Sequence, residues 1–160
     1  MRPIIAAVAA TAMFASLAAN AQEKSASQKS ASQEPALQDE PYQPGLGEIM
    51  ALQQMRHIKL WFAGHAGNWP LADYEIGELN EGFGDVDKLL GGGIVQQHVG
   101  APIATLQKAV DAKNSAAFTT AFDSLSAGCN ACHHTLDHPF IVIVRPTLLP
   151  YSNQVFTPQK

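Results

Sequence analysis

The sequence predicts an all-α domain, an antiparallel four-helix bundle followed by an extended C-terminal tail. Three observations carry this reading. Four apolar series recur at alternating steps of three and four residues, loops of a few to ten residues separate them, and no alternating strand pattern lies among them.

Each element follows from its own residues. Between Gly47 and Ala63 the series Ala51, Met55, Ile58 and Phe62 lines one side of a first helix that stops at Gly64. After Asn68-Trp69-Pro70, where proline suits a first helical turn, Ala72, Ile76, Leu79, Phe83, Val86 and Leu90 mark a second helix. Gly77, Gly82 and Gly84 weaken it by roughly 1 kcal/mol each relative to alanine, so packing must hold it. Gly91-Gly92-Gly93 ends it. A loop over 91–100 then leads to Pro102, and Ile103, Leu106 and Val110 mark a shorter third helix ending near Asn114. Ser115 is the expected cap of the fourth, whose stripe is Phe118, Phe122, Leu125, Cys129, Cys132 and Leu136. From Phe140 to Val144 an apolar, β-like run between Pro139 and Pro146 has no second strand to pair with. It is expected to lie extended against the bundle.

The flanks set the domain limits and the compartment. Residues 1–21 read as a secretory signal peptide, with Arg2, an apolar alanine-rich stretch and the small triplet Ala19-Asn20-Ala21 before the cleavage point. The apolar stretch falls short of the roughly 20 residues that span a bilayer, so stable membrane insertion is not expected. No cysteine stands at the cleavage point to take a lipid. Residues 22–46, rich in Ser, Gln, Glu, Ala and Pro, bury too little apolar surface to offset their ordering entropy and read as a disordered leader. The domain is then 47–150, with 151–160 as its tail. The formal charge of −4 and the lack of a basic patch argue against nucleic acid as a partner. The expected location is periplasmic or otherwise exported.

The chemistry concentrates in Cys129-Asn130-Ala131-Cys132-His133, which fits the haem attachment pattern Cys-x-x-Cys-His. Residues three and four apart share a helix face, so both thiols and the imidazole can address one flat ring. The thiols would add across the two haem vinyl groups as thioethers, and His133 would ligate the iron. Two other readings compete. A redox disulfide normally sits where a strand meets a helix start, which lowers one thiol's pKa; this pair comes late in a helix with no strand before it. A zinc site using His133 with His134 or His138 lacks the second ligand pair at the usual spacing. Export favours haem as well, because bacterial attachment to this motif occurs outside the cytoplasm.

One Cys-x-x-Cys-His near the end of the last of four helices, behind an exported leader, resembles the class II cytochromes c, the family of the cytochromes c-prime and their low-spin relatives. The resemblance covers roughly 47–136. It implies one haem parallel to the bundle axis and open to solvent at one edge, with Cys129 and Cys132 as thioether positions and His133 as proximal ligand. It also implies that the first helix faces the far side of the iron. Met55-Arg56-His57 and Leu60-Trp61-Phe62-Ala63-Gly64 are similar to a group of exported proteins regarded as cytochromes. The tail after Leu136 departs from the compact family pattern and bears on the exposed haem edge.

For the far side of the iron the first helix offers Met50, Met55 and His57. Met55 belongs to the expected buried stripe, whereas His57 lies about 160 degrees away around the helix and Met50 flanks it. Met55 is therefore the expected sixth ligand, with plain core filling as its alternative. Trp61, Trp69, Phe62, Phe83, Phe118 and Phe122 read first as core. Arg56, Lys59 and Arg145 read as surface charge or as partners for haem propionates. His65 and His98 fit polar loops, His134 points about 100 degrees away from His133, and His138 shapes a turn.

A lone haem without a catalytic constellation points to single-electron transfer with a redox partner protein rather than to an enzyme. The alternatives are a five-coordinate haem binding a small gas such as nitric oxide or carbon monoxide, and a peroxidase-like site using Arg56 and His57. A homodimer is compatible with the sequence.

Overall fold

The computed structural model describes residues 41–160; the segment read as a signal peptide and most of the segment read as a leader lie outside the described residues. The body over 43–160 is all-helical, with four helices packed on one another and, among the described residues, no strand. They are α1 (Leu46–His65), α2 (Trp69–Leu90), α3 (Ile94–Asp111) and α4 (Ser115–Thr135). Residue numbers rising along one helix meet numbers falling along the next. Gln53 and Arg56 of α1 face Gly82 and Glu78 of α2, while His57 and Gly64 of α1 face Ser126 and Phe118 of α4. No helix among the described residues is long and apolar enough to cross a membrane.

Helix ends are set by local chemistry, and three differ from expectation by about one residue. Glu48 reaches back to accept from the Gly45 N–H at 2.8 Å and starts α1 at Leu46, one residue early. Gly64 does not stop α1. It sits inside the helix under the Phe118 ring, where a Cβ would come within 2.1 Å, and the chain turns instead at Gly67 with φ +73°. The cap of α4 is Asn114 rather than Ser115, its side chain accepting from Ala117 N–H at 3.0 Å.

The largest difference is α3, which begins at Ile94 and carries Pro102 inside it rather than at its start. A carboxylate from the preceding helix makes the early start: Asp87 accepts from the N–H groups of Val95 at 2.8 Å and Gln96 at 3.2 Å. Pro102 lacks the N–H that would bond the His98 carbonyl four residues back. That carbonyl instead lies against Gly128 of α4, where an added Cβ would come within 2.7 Å.

The stripes of α2 and α4 are largely buried as read, from Ala72 to Val86 and from Phe118 to Cys132, except that Cys129 and Leu136 are half-buried and Leu90 is exposed. On α1 the assignment rotates. The buried residues are Ile49, Gln53, His57, Leu60, Trp61, Ala63 and Gly64; Ala51 is exposed, and Met55, Ile58 and Phe62 are half-buried. Two polar side chains at the centre of this face, Gln53 and His57, hid it from an apolar count. The lower half of α1 packs Trp61 against Phe118 and Phe122 of α4, and Trp69 meets Phe118 edge-on. Phe156 is buried against Phe62, so the core reaches beyond Pro150.

Candidate functional site

At the end of the body opposite this aromatic cluster lies a cavity of about 390 Å³. That volume lies within the range of about 300–1,000 Å³ usual for ligand sites. Every helix contributes a wall: Met50, Ala51, Gln53 and His57 from α1; Leu79, Phe83 and Val86 from α2; Val95 and Val99 from α3. The α4 wall holds Leu125, Cys129, Cys132, His133 and Leu136, and the tail adds His138, Ile141 and Ile143.

The structure thus brings Cys129, Cys132 and His133 to one apolar cavity, all on the last turns of α4. Burial pushes the Cys129 thiol up to about 12, with neighbouring Cys132 adding to the shift. The Cys132 thiol is raised by burial and then by the Asp87 carboxylate. These thiols are held protonated, the reverse of the lowered pKa that activates a redox dithiol. His133 Nδ1 lies 2.8 Å from the Ile141 carbonyl oxygen. A carbonyl can only accept, so Nδ1 donates, and in the neutral ring the lone pair then sits on Nε2, the tautomer a metal-ligating imidazole requires. Among the described residues no cluster of three or more His, Cys, Asp and Glu stands in metal-binding geometry.

Met55 does not line the cavity and is not packed on the main core; the rotation of α1 carries it away. Met50 and His57 take the wall instead. His57 is 4% exposed, and its Nε2 lies 2.8 Å from Ser126 Oγ, whose own proton goes to the Phe122 carbonyl at 3.1 Å. Nε2 is therefore the donor. His57 is neutral, with burial lowering its pKa to about 4, and its ring rests 4.4 Å from Phe122. Arg56 is turned away from the cavity, bonding the Glu78 carbonyl at 2.8 Å and its carboxylate at 2.7 Å. The Arg56–His57 pair of a peroxidase-like site is not assembled.

Gln53 is the site residue the sequence did not announce. It is 4% exposed, lines the cavity, and neither its amide nitrogen nor its oxygen has a hydrogen-bond partner. Gly82 makes room for it: a Cβ there would come within 1.4 Å of Gln53 Nε2. A buried amide without a partner costs about 1–3 kcal/mol, a cost that a polar atom of a cavity ligand can offset. Its only sequence signal is its spacing of four from both Ile49 and His57.

The remaining singled-out residues brace the frame. Arg145 stacks 4.7 Å over Trp61 and pairs with Asp123, Lys59 lies 5.5 Å over Tyr151, and His65 stacks on Trp61. His98 meets Thr135 Oγ1 at 3.1 Å. Trp61, Trp69, Phe62, Phe118 and Phe122 do not line the cavity, and Phe83 does.

The residues present fit a haem. The cavity is walled by aliphatic side chains, both thiols stand on one wall beside an imidazole with Nε2 free, and a buried amide awaits a partner. Compared with known protein families, with curated proteins and with solved structures, the chain finds no match.

Proposed function

We propose that this chain is an exported monohaem c-type cytochrome acting in single-electron transfer, similar in plan to the class II cytochromes c. One observation carries the reading: Cys129, Cys132 and His133, spaced for haem attachment, line one apolar cavity with His133 held as the Nε2-ligating tautomer. Cys129 and Cys132 hold the haem c covalently and His133 ligates its iron. When bound, the haem supplies the one-electron couple of that iron. The chain does the rest. Aliphatic walls exclude water, the Ile141 carbonyl orients His133, and the Ile141–Ile143 segment covers one side of the cavity. An acidic chain, with formal charge −4, suits a redox partner that presents a basic patch.

For the far side of the iron the ligand proposal moves from Met55 to Met50. Met50 lines the cavity from the first turns of α1, whereas His57 has its Nε2 proton committed to Ser126. A thioether ligand raises the potential relative to bis-histidine ligation. The ferric protein is expected to show the far-red band of methionine sulfur on iron. Met50→Ala abolishes it and Met55→Ala leaves it intact. Reversible one-electron voltammetry of the same protein tests the transfer reading directly. A high-spin ferric spectrum that Met50→Ala does not alter, with tight carbon monoxide binding to the ferrous form, would favour the gas-binding alternative.

A further inference from the structure

Beyond Leu136 the chain turns at Asp137, which has φ +60°, and runs back along the helix it has just left. Two contacts hold the return. The side-chain amide of Asn130 donates to the Ile143 carbonyl at 2.8 Å and accepts from the Ile143 N–H at 2.7 Å. Three residues further along α4, His133 Nδ1 meets the Ile141 carbonyl, two residues earlier in the tail. Two extended residues cover about 6.5 Å and three helical residues about 4.5 Å, so the two contacts stay in register along one helix face.

We propose that Asn130 is a positioning residue for His133: by clasping both main-chain groups of Ile143 it fixes the Ile141 carbonyl on the imidazole that would ligate the haem. The inference rests on the haem reading and adds a role for a residue whose identity the attachment pattern leaves open. Apolar burial is a weak tether here, since Phe140, Val142 and Val144 are 64–76% exposed and only Ile143 of this run is half-buried. The next attachment, Arg145 to Asp123, acts beyond Ile143 and does not touch His133. Loss of the clasp lets the Ile141 carbonyl drift. The His133 Nδ1–H then finds water, the imidazole donates less charge to the metal, and the oxidised state is stabilised less.

The test compares Asn130→Ala, Asn130→Asp and Arg145→Ala in the full haem-loaded protein. The readouts are the midpoint potential and, by nitrogen-15 NMR of the ferrous form, solvent exchange of the His133 Nδ1 proton. Asn130→Ala is expected to raise the potential and speed that exchange by about tenfold, the scale of one lost hydrogen bond. Asn130→Asp keeps the acceptor for the Ile143 N–H and loses the donor, so its exchange rate falls between. Arg145→Ala leaves both readouts at the unmodified values. Unchanged potential and exchange in Asn130→Ala, or equal shifts in Arg145→Ala, overturn the positioning role while leaving the haem reading intact. Absence of haem in the unmodified protein has its own signature and overturns both. Should Asn130→Ala fail to fold, an unmodified exchange rate in Asn130→Asp overturns the role as well.

Discussion

His57 stands in a core of Phe122, Trp61 and Ser126, where its ring is satisfied only as the neutral tautomer. Its folded pKa, about 4, lies below the usual 6.5. In the interval between those values the unfolded chain binds a proton that the folded chain does not, so stability is lost as pH falls from about 6.5 to about 4. The integrated effect is on the order of 3 kcal/mol. Glu75, raised by burial, acts in the opposite sense, gaining stability as pH falls. Thermal melts from pH 7.5 to 4.5 are expected to fall in the unmodified protein, and His57→Gln, which retains a donor for Ser126, is expected to flatten that fall. The placement of Cys129, Cys132 and His133 on one cavity was legible because residues three and four apart share a helix face. Met55 misled because an apolar count follows methionine and isoleucine, whereas burial follows shape: Gln53 lies over Gly82, and His57 lies beside Ser126. Asn130 carried no signal, since its partner is a main-chain group thirteen residues away.

The helices illustrate how tertiary contacts override local signals. Pro102 read as a start because proline favours first turns, yet the first turn of α3 lies eight residues earlier, where Asp87 supplies the cap from another helix. No window of sequence over 91–100 contains that carboxylate. Asp87→Ala is expected to cost about 1 kcal/mol, up to about 2, in denaturant unfolding, while Asp87→Asn recovers part of it through its remaining acceptor oxygen. His98 then braces the motif from both sides, its carbonyl against Gly128 and its ring against Thr135. Close approach at Gly128 admits a Cα–H···O contact to the carbonyl that Pro102 leaves free of its helical bond. Gly128→Ala places a methyl group within 2.7 Å of that oxygen, and helix backbone yields less readily than a side chain. A destabilisation of about 1–3 kcal/mol is expected, measured by denaturant melts of the haem-free chain, together with poorer haem retention. By contrast α2 and most of α4 were readable throughout, because each presents one apolar face to one core.

Over the whole body, the fold divides its labour between two ends. Trp61 of α1 and Trp69 of α2 pack on Phe118 and Phe122 of α4 at one end, and at the other α1 and α4 both line the cavity. The tail joins the two, passing from Ile141 at His133 through Arg145 over Trp61 to Phe156 under Phe62. Helix number and order were legible from periodicity; the course of the tail was not, since its attachments are single side-chain contacts rather than a repeating pattern. All of this arranges two protonated thiols and one oriented imidazole around an apolar space, and covalent haem is the claim on which the functional account stands. Intact-mass measurement of the protein matured in a bacterial host with haem-attachment machinery tests it most directly. Thioether formation adds each thiol across a vinyl group without loss of atoms, so the account predicts the mass of the mature chain plus one haem, retained through acidified organic solvent and lost in the doubly substituted Cys129→Ala, Cys132→Ala chain. A haem-free mass from that host, with the two cysteines joined as a disulfide or with one zinc per chain, would contradict it.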